Sequence, residues 1–419
     1  MKTLKKLSLA LLVSASLINS SFVAAETVDA APQNMAQKGN HYPLIFVHGV
    51  VGWGPDEMLG FKYWGGFDDT IAYLNSNGVE SYAAVVGPVS SNWDRAVELY
   101  YYIKGGTVDY GAAHSLKANH ARYGKTYPGI YPHWDEHHKI HLVGHSMGGL
   151  TSRQLVDMLQ DGSEEERAFH ESHPGTELSP LFEGGKDYVF SVTTVATPNN
   201  GSSFAQDKNL IVGLIEDMVR KAATIAGVSS LSSFVYDFKL DQFGLSRDPD
   251  ESLAEYIRDV FTSSIWDSKD IASYDLSVVG VSANKQYLET KPNVYYFSHT
   301  GKTTVGVPFT SFQIPGVYTN PLLVPSATYM GKTITDPQTS LINATWTTND
   351  GLVNSVSSYY PFGADAKPYD GQPKKGQWSY YPVMYDWDHL DFMGFDVIPQ
   401  AYVNAFYADV ARSLLELDK

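Results

Sequence analysis

The stretch Lys139-Ile140-His141-Leu142-Val143-Gly144-His145-Ser146-Met147-Gly148-Gly149 carries a serine in a setting that can make it a nucleophile. Gly144 and Gly148 stand two residues either side of Ser146, the Gly-x-Ser-x-Gly spacing of a nucleophile elbow. In so tight a turn a Cβ at either glycine would clash, and the turn lifts the serine hydroxyl above a sheet edge. It also sets the serine at a helix N-terminus, whose free N–H groups favour developing negative charge. The same five residues also fit a glycine-rich turn with an idle serine. Context favours the elbow. Ile140, Leu142 and Val143 suit a buried strand, and Leu155, Val156, Met158 and Leu159 then recur at helical spacing, with Gly162 as a stop.

A nucleophilic serine needs a base, and the base an orienting acid; in α/β-hydrolases the chain order is serine, acid, histidine. The histidines after Ser146 are His170, His173, His299 and His389. His170 and His173 lie in a charged, proline-interrupted stretch close to the nucleophile helix. His299 ends an apolar strand-like run. His389, in Tyr385-Asp386-Trp387-Asp388-His389-Leu390-Asp391, is the late loop histidine that the order demands. For the acid, Asp350 stands in the turn Asn349-Asp350-Gly351. By spacing alone Asp350 reads equally as a plain turn aspartate, and His389 as a surface histidine. An oxyanion needs two backbone donors: Met147 N–H after the nucleophile, and an N–H after His48-Gly49, which makes Val50 the candidate.

The elements that must position these residues follow a regular alternation. Tyr42 to Val47 reads as a strand ending in the glycine-rich loop His48-Gly49-Val50-Val51-Gly52. Phe67, Ile71 and Leu74 keep a helical period. Strands are predicted again over 82–86, 140–145, 188–195 and 294–298, and a helix over 402–417. This is the pattern of a mostly parallel sheet with helices on both faces. Two stretches are extra to it, 91–131 and 202–236. In the second, Ile211, Ile215, Met218, Ala222 and Ile225 form an apolar helical stripe that is either core or a movable cover.

The 419 residues include no cysteine, so no disulfide is available. Lys2, Lys5 and Lys6, an apolar run from Leu7 and Val23-Ala24-Ala25 predict a secretory signal peptide over 1–25. The run is too short for a good membrane span. A polar leader is expected over 26–40 and one domain over 41–419. The formal net charge of −16 argues against a nucleic-acid partner. Two clusters look like metal sites and are read otherwise. His133 to His138 is a solvated loop, and His170-Glu171-Ser172-His173 is one residue short of the His-Glu-x-x-His spacing.

Longer strings identify a family. Lys62-Tyr63-Trp64-Gly65-Gly66, Ser90 to Ala96, Gly105 to His114, Tyr236 to Leu245, Asn349-Asp350-Gly351 and Asp388-His389-Leu390 resemble the secreted lipases of thermophilic Bacillus and Geobacillus together with the staphylococcal lipases. The resemblance runs through most of the chain after the leader, in the same order. It implies an α/β-hydrolase fold with a small zinc-binding insertion and a helical lid, and a triad of Ser146, Asp350 and His389. It implies a structural zinc ion on Asp94, His114, His120 and Asp241, and a calcium ion near Asp391 and Asp396, whose remaining ligand, in the family a carbonyl from a loop matching 315–320, is unassigned because the chain diverges there.

The expected function is that of a secreted triacylglycerol lipase acting at an oil–water or polymer interface. The alternatives are a broader carboxylesterase or polyester hydrolase using the same triad, and a hydrolase-fold binding protein without turnover.

Overall fold

The computed structural model describes residues 39–225, 236–248, 250–395 and 398–418. The signal-peptide stretch, most of the leader, residues 226–235 of the lid stretch and Asp396 lie outside the described residues.

Seven parallel strands form the central sheet: β1 (Leu44–Val47), β2 (Ser81–Ala84), β3 (Ile140–His145), β4 (Val189–Val195), β5 (Tyr295–His299), β6 (Ala366–Pro368) and β7 (Trp378–Tyr380). Their order across the sheet is β6-β7-β5-β4-β3-β1-β2. Five of the seven follow the apolar runs of the sequence. The short outer pair β6 and β7 has no such run, because each strand has only three residues.

β1, β3 and β4 are buried along their whole length, as parallel strands covered on both faces must be. The two-residue side-chain period sends Leu44 and Phe46 to one face and Ile45 and Val47 to the other. On the first face the C-terminal helix α4 (Gln400–Leu415) packs through Tyr407, Val410 and Leu414. On the second lie α1 (Asn92–Lys104) and α2 (Met147–Asp161), the helix that follows Ser146, through Leu99, Ile103, Leu155 and Leu159. α1 starts where the Ser91 hydroxyl accepts the Asp94 N–H, and α2 stops at Gly162, whose φ of +68° suits glycine.

Between β1 and β3 the chain changes direction across the sheet: β2 lies on one side, β4 on the other. The loops leaving the carboxyl ends of β1 and β3 diverge there, and such a switch point leaves a crevice. Both the His48-Gly49 loop and Ser146 sit at it. Asn40, expected in the leader, belongs to the folded body: its amide donates to the carbonyls of Leu414 and Leu417. His170 and His173, expected in a loop, lie in and just after the helix Glu164–Ser172, which the Ser163 hydroxyl caps.

A candidate catalytic site at the sheet switch point

Ser146 is the residue between β3 and α2. Its φ of +55° lies in the left-handed region, an unfavourable place for a side-chain-bearing residue. A Cβ at Gly148 would lie 2.0 Å from the Val47 carbonyl oxygen, and one at Gly144 would lie 2.5 Å from the Gly148 carbonyl. The turn therefore tolerates only glycine at both positions, as its spacing predicts. Ser91, Ser163 and Ser179 spend their hydroxyls capping helices, whereas Ser146, also at a helix start, makes no capping bond. Its hydroxyl is not spent on the helix end.

Asp350 and His389 are brought together by two parallel contacts. The Asp350 carboxylate accepts from His389 Nδ1 at 2.9 Å, and the His389 N–H donates to the Asp350 carbonyl at 2.9 Å. The other carboxylate oxygen of Asp350 accepts from the N–H groups of Leu352 and Val353 at 2.9 and 2.7 Å. With Nδ1–H committed to Asp350, Nε2 of His389 is the atom that can take a proton. Ser146 is 5 % exposed and His389 2 %.

Sequence reasoning missed the residues that hold these parts in register. Gly49 N–H donates to Tyr63 Oη at 2.8 Å, so the Tyr63 hydroxyl donates in turn to His145 Nδ1 at 2.7 Å. That fixes the tautomer of His145, whose Nε2–H donates to the His389 carbonyl at 3.1 Å. Burial, and then the neighbouring His389, hold the pKa of His145 well below its ordinary value, which keeps it neutral. One chain of hydrogen bonds thus ties the loop after β1, the elbow and the histidine loop together. The only hint in the sequence was that Tyr63 and His145 lie in motif strings.

The loop after β1 is braced from below by Arg95. Its guanidinium donates to the carbonyls of His48 and Gly87 and to the Thr151 hydroxyl. Gly49 N–H is used by Tyr63, and Val51 N–H by the Pro88 carbonyl at 2.8 Å. Among the described residues the Val50 N–H between them has no partner. Met147 N–H is the first of α2 and points out of the helix end.

The apolar stripe predicted around Ile211 forms α3 (Lys208–Ile225). Ile211, Ile215 and Val219 are buried in the same core as Val50, Val51 and Met147. Beneath α3 an apolar cleft of about 80 Å³ is lined by Met218, Ala222, Val51, Asn320, Leu322 and Leu390.

A second cluster occupies the 91–131 insertion. Asp94, His114, His120 and Asp270 place ligand atoms within 4.8 Å of one another. Asp241, expected as the fourth ligand, is not among them. In the short turn Asp241–Phe243 successive side chains splay apart, and Asp241 faces outward to Lys125 at 3.2 Å and to the Ser246 hydroxyl. Its neighbour Gln242 faces inward and donates to Asp94 at 3.0 Å. Asp270, from the far side of the chain, takes the expected place. His120 Nδ1–H donates to the Ala121 carbonyl at 2.8 Å, which turns Nε2 towards the cluster.

The buried atoms His120 Nε2 and Asp270 Oδ2 make no hydrogen bond, although they lie 3.3 Å apart. Burial disfavours charge on both imidazoles, yet Asp270 and Asp94 overcome it and raise His114 to about 9 and His120 to about 10. Two carboxylates, two imidazoles and orphaned buried ligand atoms fit a divalent cation. At the expected calcium position the Asp391 carboxylate accepts the Asp388 N–H at 2.7 Å, and Asp396 lies outside the described residues.

The His133–His138 stretch is a surface loop in which Asp135 caps the His137 and His138 N–H groups. His141 is buried, between Ser191 at 2.7 Å and Asn40 at 2.8 Å. His299 is buried against Tyr381, with ring centroids 4.2 Å apart.

The family described as "Lipase-like, C-terminal domain" matches residues 40–419. The chain is 37% identical over 412 residues to Lipase 2 of Staphylococcus aureus, covering 94% of this chain and 57% of that protein, so it spans little more than half the length of that curated relative. Two solved structures are similar along nearly their whole length. EstA from Clostridium botulinum superposes with a TM-score of 0.84 at 43% identity, covering 92% of this chain and 89% of that one. Lipase 1 from Pelosinus fermentans does so with 0.82 at 42% identity, covering 91% and 100%.

Proposed function

The chain belongs to the lipase-like family, with the α/β-hydrolase fold, and from that premise we propose that it is an exported serine ester hydrolase acting on triacylglycerols. The observation that carries this reading is the His389–Asp350 pair, 2.9 Å apart, with His389 packed against His145, the residue before the strained Ser146.

His389 Nε2 takes the proton of Ser146 as Oγ attacks the acyl carbonyl carbon. The carbonyl oxygen becomes an oxyanion held by the N–H groups of Met147 and Val50. Collapse breaks the C–O bond to the alcohol, which leaves with the proton from His389. Water, deprotonated by His389, then attacks the acyl–Ser146 ester, and the acid leaves as Ser146 recovers its proton. Asp350 holds the imidazole in the productive tautomer and offsets its transient charge.

Because the nucleophile is covered, substrate needs a moving part. α3 is the lid in this reading, and its displacement would open the cleft beside Val51 and Leu390 to an acyl chain. Zinc on Asp94, His114, His120 and Asp270 would clip the insertion to the body; with four protein ligands and no open position it supplies structure rather than chemistry. Export rests on the predicted signal peptide, and no described helix is long and apolar enough to cross a membrane.

The similarity to EstA of Clostridium botulinum favours a second reading, a broader carboxylesterase with the same triad. Activity across p-nitrophenyl esters of rising chain length, alongside emulsified oil, separates the two. Preference for soluble acetate or butyrate with none for emulsion would refute the lipase reading. The Ser146→Ala variant is expected to lose at least about 10⁴-fold in kcat; retained activity would overturn both.

A further inference from the structure

From Thr303 to Gly331 the chain has no Asp, Glu, Lys, Arg or His, although its net charge is −16. Part of this uncharged stretch folds into a small antiparallel hairpin, Thr304–Gly306 against Gln313–Pro315, with Ile314 opposite Val305. Cross-strand partners share a face of the hairpin, and both side chains are exposed. Phe309 at the tip is fully exposed, Val317 just past the second strand at the hairpin base is 93 % exposed, and Phe312 and Tyr318 are exposed too. A clustered set of apolar side chains in water, unlike scattered ones, marks a contact surface.

The chain on either side of the hairpin is tied to the loops bearing Asp350 and His389. Thr303 N–H donates to the Asn349 carbonyl at 3.1 Å, and Asn349 precedes the acid Asp350. Asn320 N–H donates to the Asp388 carboxylate at 2.7 Å, and Asp388 precedes His389. Asn320 and Leu322 then line the apolar cleft under α3. The exposed apolar surface is thus continuous along the chain with the wall of the cleft beneath α3.

We propose that the hairpin over 303–318 is a docking element that seats in the uncharged surface of aggregated ester substrate and holds the catalytic loops against it. The inference rests on the ester-hydrolase reading of the same site. The charge pattern selects this occupant. An acidic protein is repelled by anionic headgroups, and the hairpin offers no cation to bind them. Nor has it a charge to desolvate on entering an apolar phase, the largest cost of such insertion. A projecting tip of a few side chains also suits a fluid surface better than the broad, complementary patch that a stable protein dimer requires.

The test uses the F309S/V317S double variant, at two positions remote from the triad. In a Ser146→Ala background, flotation with phosphatidylcholine-coated triolein droplets reads docking without turnover. In the active background, soluble p-nitrophenyl butyrate and emulsified triolein read function. The double substitution is expected to cut droplet partition and emulsion activity by about tenfold. Soluble-ester activity and Tm should be unchanged. Unchanged droplet partition would overturn the proposal. So would binding that requires added anionic lipid, or a wild-type dimer that the substitutions dissociate in sedimentation. Partition that the double variant loses supports docking even if no ester is turned over, a result that would count against the hydrolase reading alone.

Discussion

At the scale of single residues, the candidate site is set by which lone pairs and protons are already spent. His389 donates its Nδ1–H to the Asp350 carboxylate in a hydrogen bond, so its open lone pair is on Nε2. Tyr63 spends its proton on His145 and its lone pair on Gly49 N–H, so the loop bearing Val50 and the elbow bearing Ser146 share one anchor. Tyr63→Phe keeps the ring and strands two buried polar atoms, a loss of about 1–3 kcal/mol. If Tyr63 positions the oxyanion loop, kcat should fall about tenfold with KM nearly unchanged, beyond the effect on Tm. Steady-state kinetics with thermal unfolding check this; an equal fall in Tm with kcat intact would leave Tyr63 a purely structural residue. The same accounting explains Asp241: its carboxylate is engaged by Lys125 and Ser246 on the outer side of its turn.

At the scale of elements, two insertions decorate the sheet and each makes a separate claim. The insertion over 91–131 meets the body at Asp270, so a metal there bridges two chain segments far apart in sequence. Asp270→Asn should lose about one equivalent of zinc by elemental analysis and lower Tm, whereas Asp241→Asn should retain the metal. The reverse pattern would restore Asp241 as the ligand. α3 raises the choice between core and cover. Its buried Ile215 contributes about 1.5–3 kcal/mol of apolar burial. Ile215→Ser should therefore loosen the helix. If α3 covers Ser146, activity on a soluble short ester rises several-fold as Tm falls. If α3 is only core, activity falls with stability.

At the scale of the whole molecule, buried histidines make stability depend on pH. Burial lowers the pKa of His141 and of His299 from 6.5 to about 3. In the unfolded chain both take up protons as pH falls through 6.5; in the native state they do not until about 3. The unfolded state therefore binds more protons over that window, and stability falls as pH drops, by up to about 1.4 kcal/mol per pH unit for each group. Tm measured from pH 7 down to 4 should decline, and His299→Phe, which keeps a ring on Tyr381, should make the decline shallower. An unchanged slope would show that His299 does not contribute. The charge distribution works at the same scale. A strongly acidic chain leaves Thr303 to Gly331 uncharged, and that stretch borders the loops bearing Asp350 and His389.

The turn around Ser146 was legible in the sequence because its constraint is local: glycine is the only residue whose missing Cβ clears Val47 and Gly148. The inner strands were legible because strands buried on both faces are rich in apolar residues, as in Leu44–Val47. The candidate acid and base, Asp350 and His389, were narrowed by chain order, then specified by resemblance to a family. What only the tertiary structure decided were partnerships between residues far apart in the chain. Tyr63 meets His145, Arg95 meets the His48 carbonyl, and Asp270 rather than Asp241 meets the two histidines. Each depends on which way a side chain leaves its turn and on what packs against it, and neither is written in the spacing of residues along the chain.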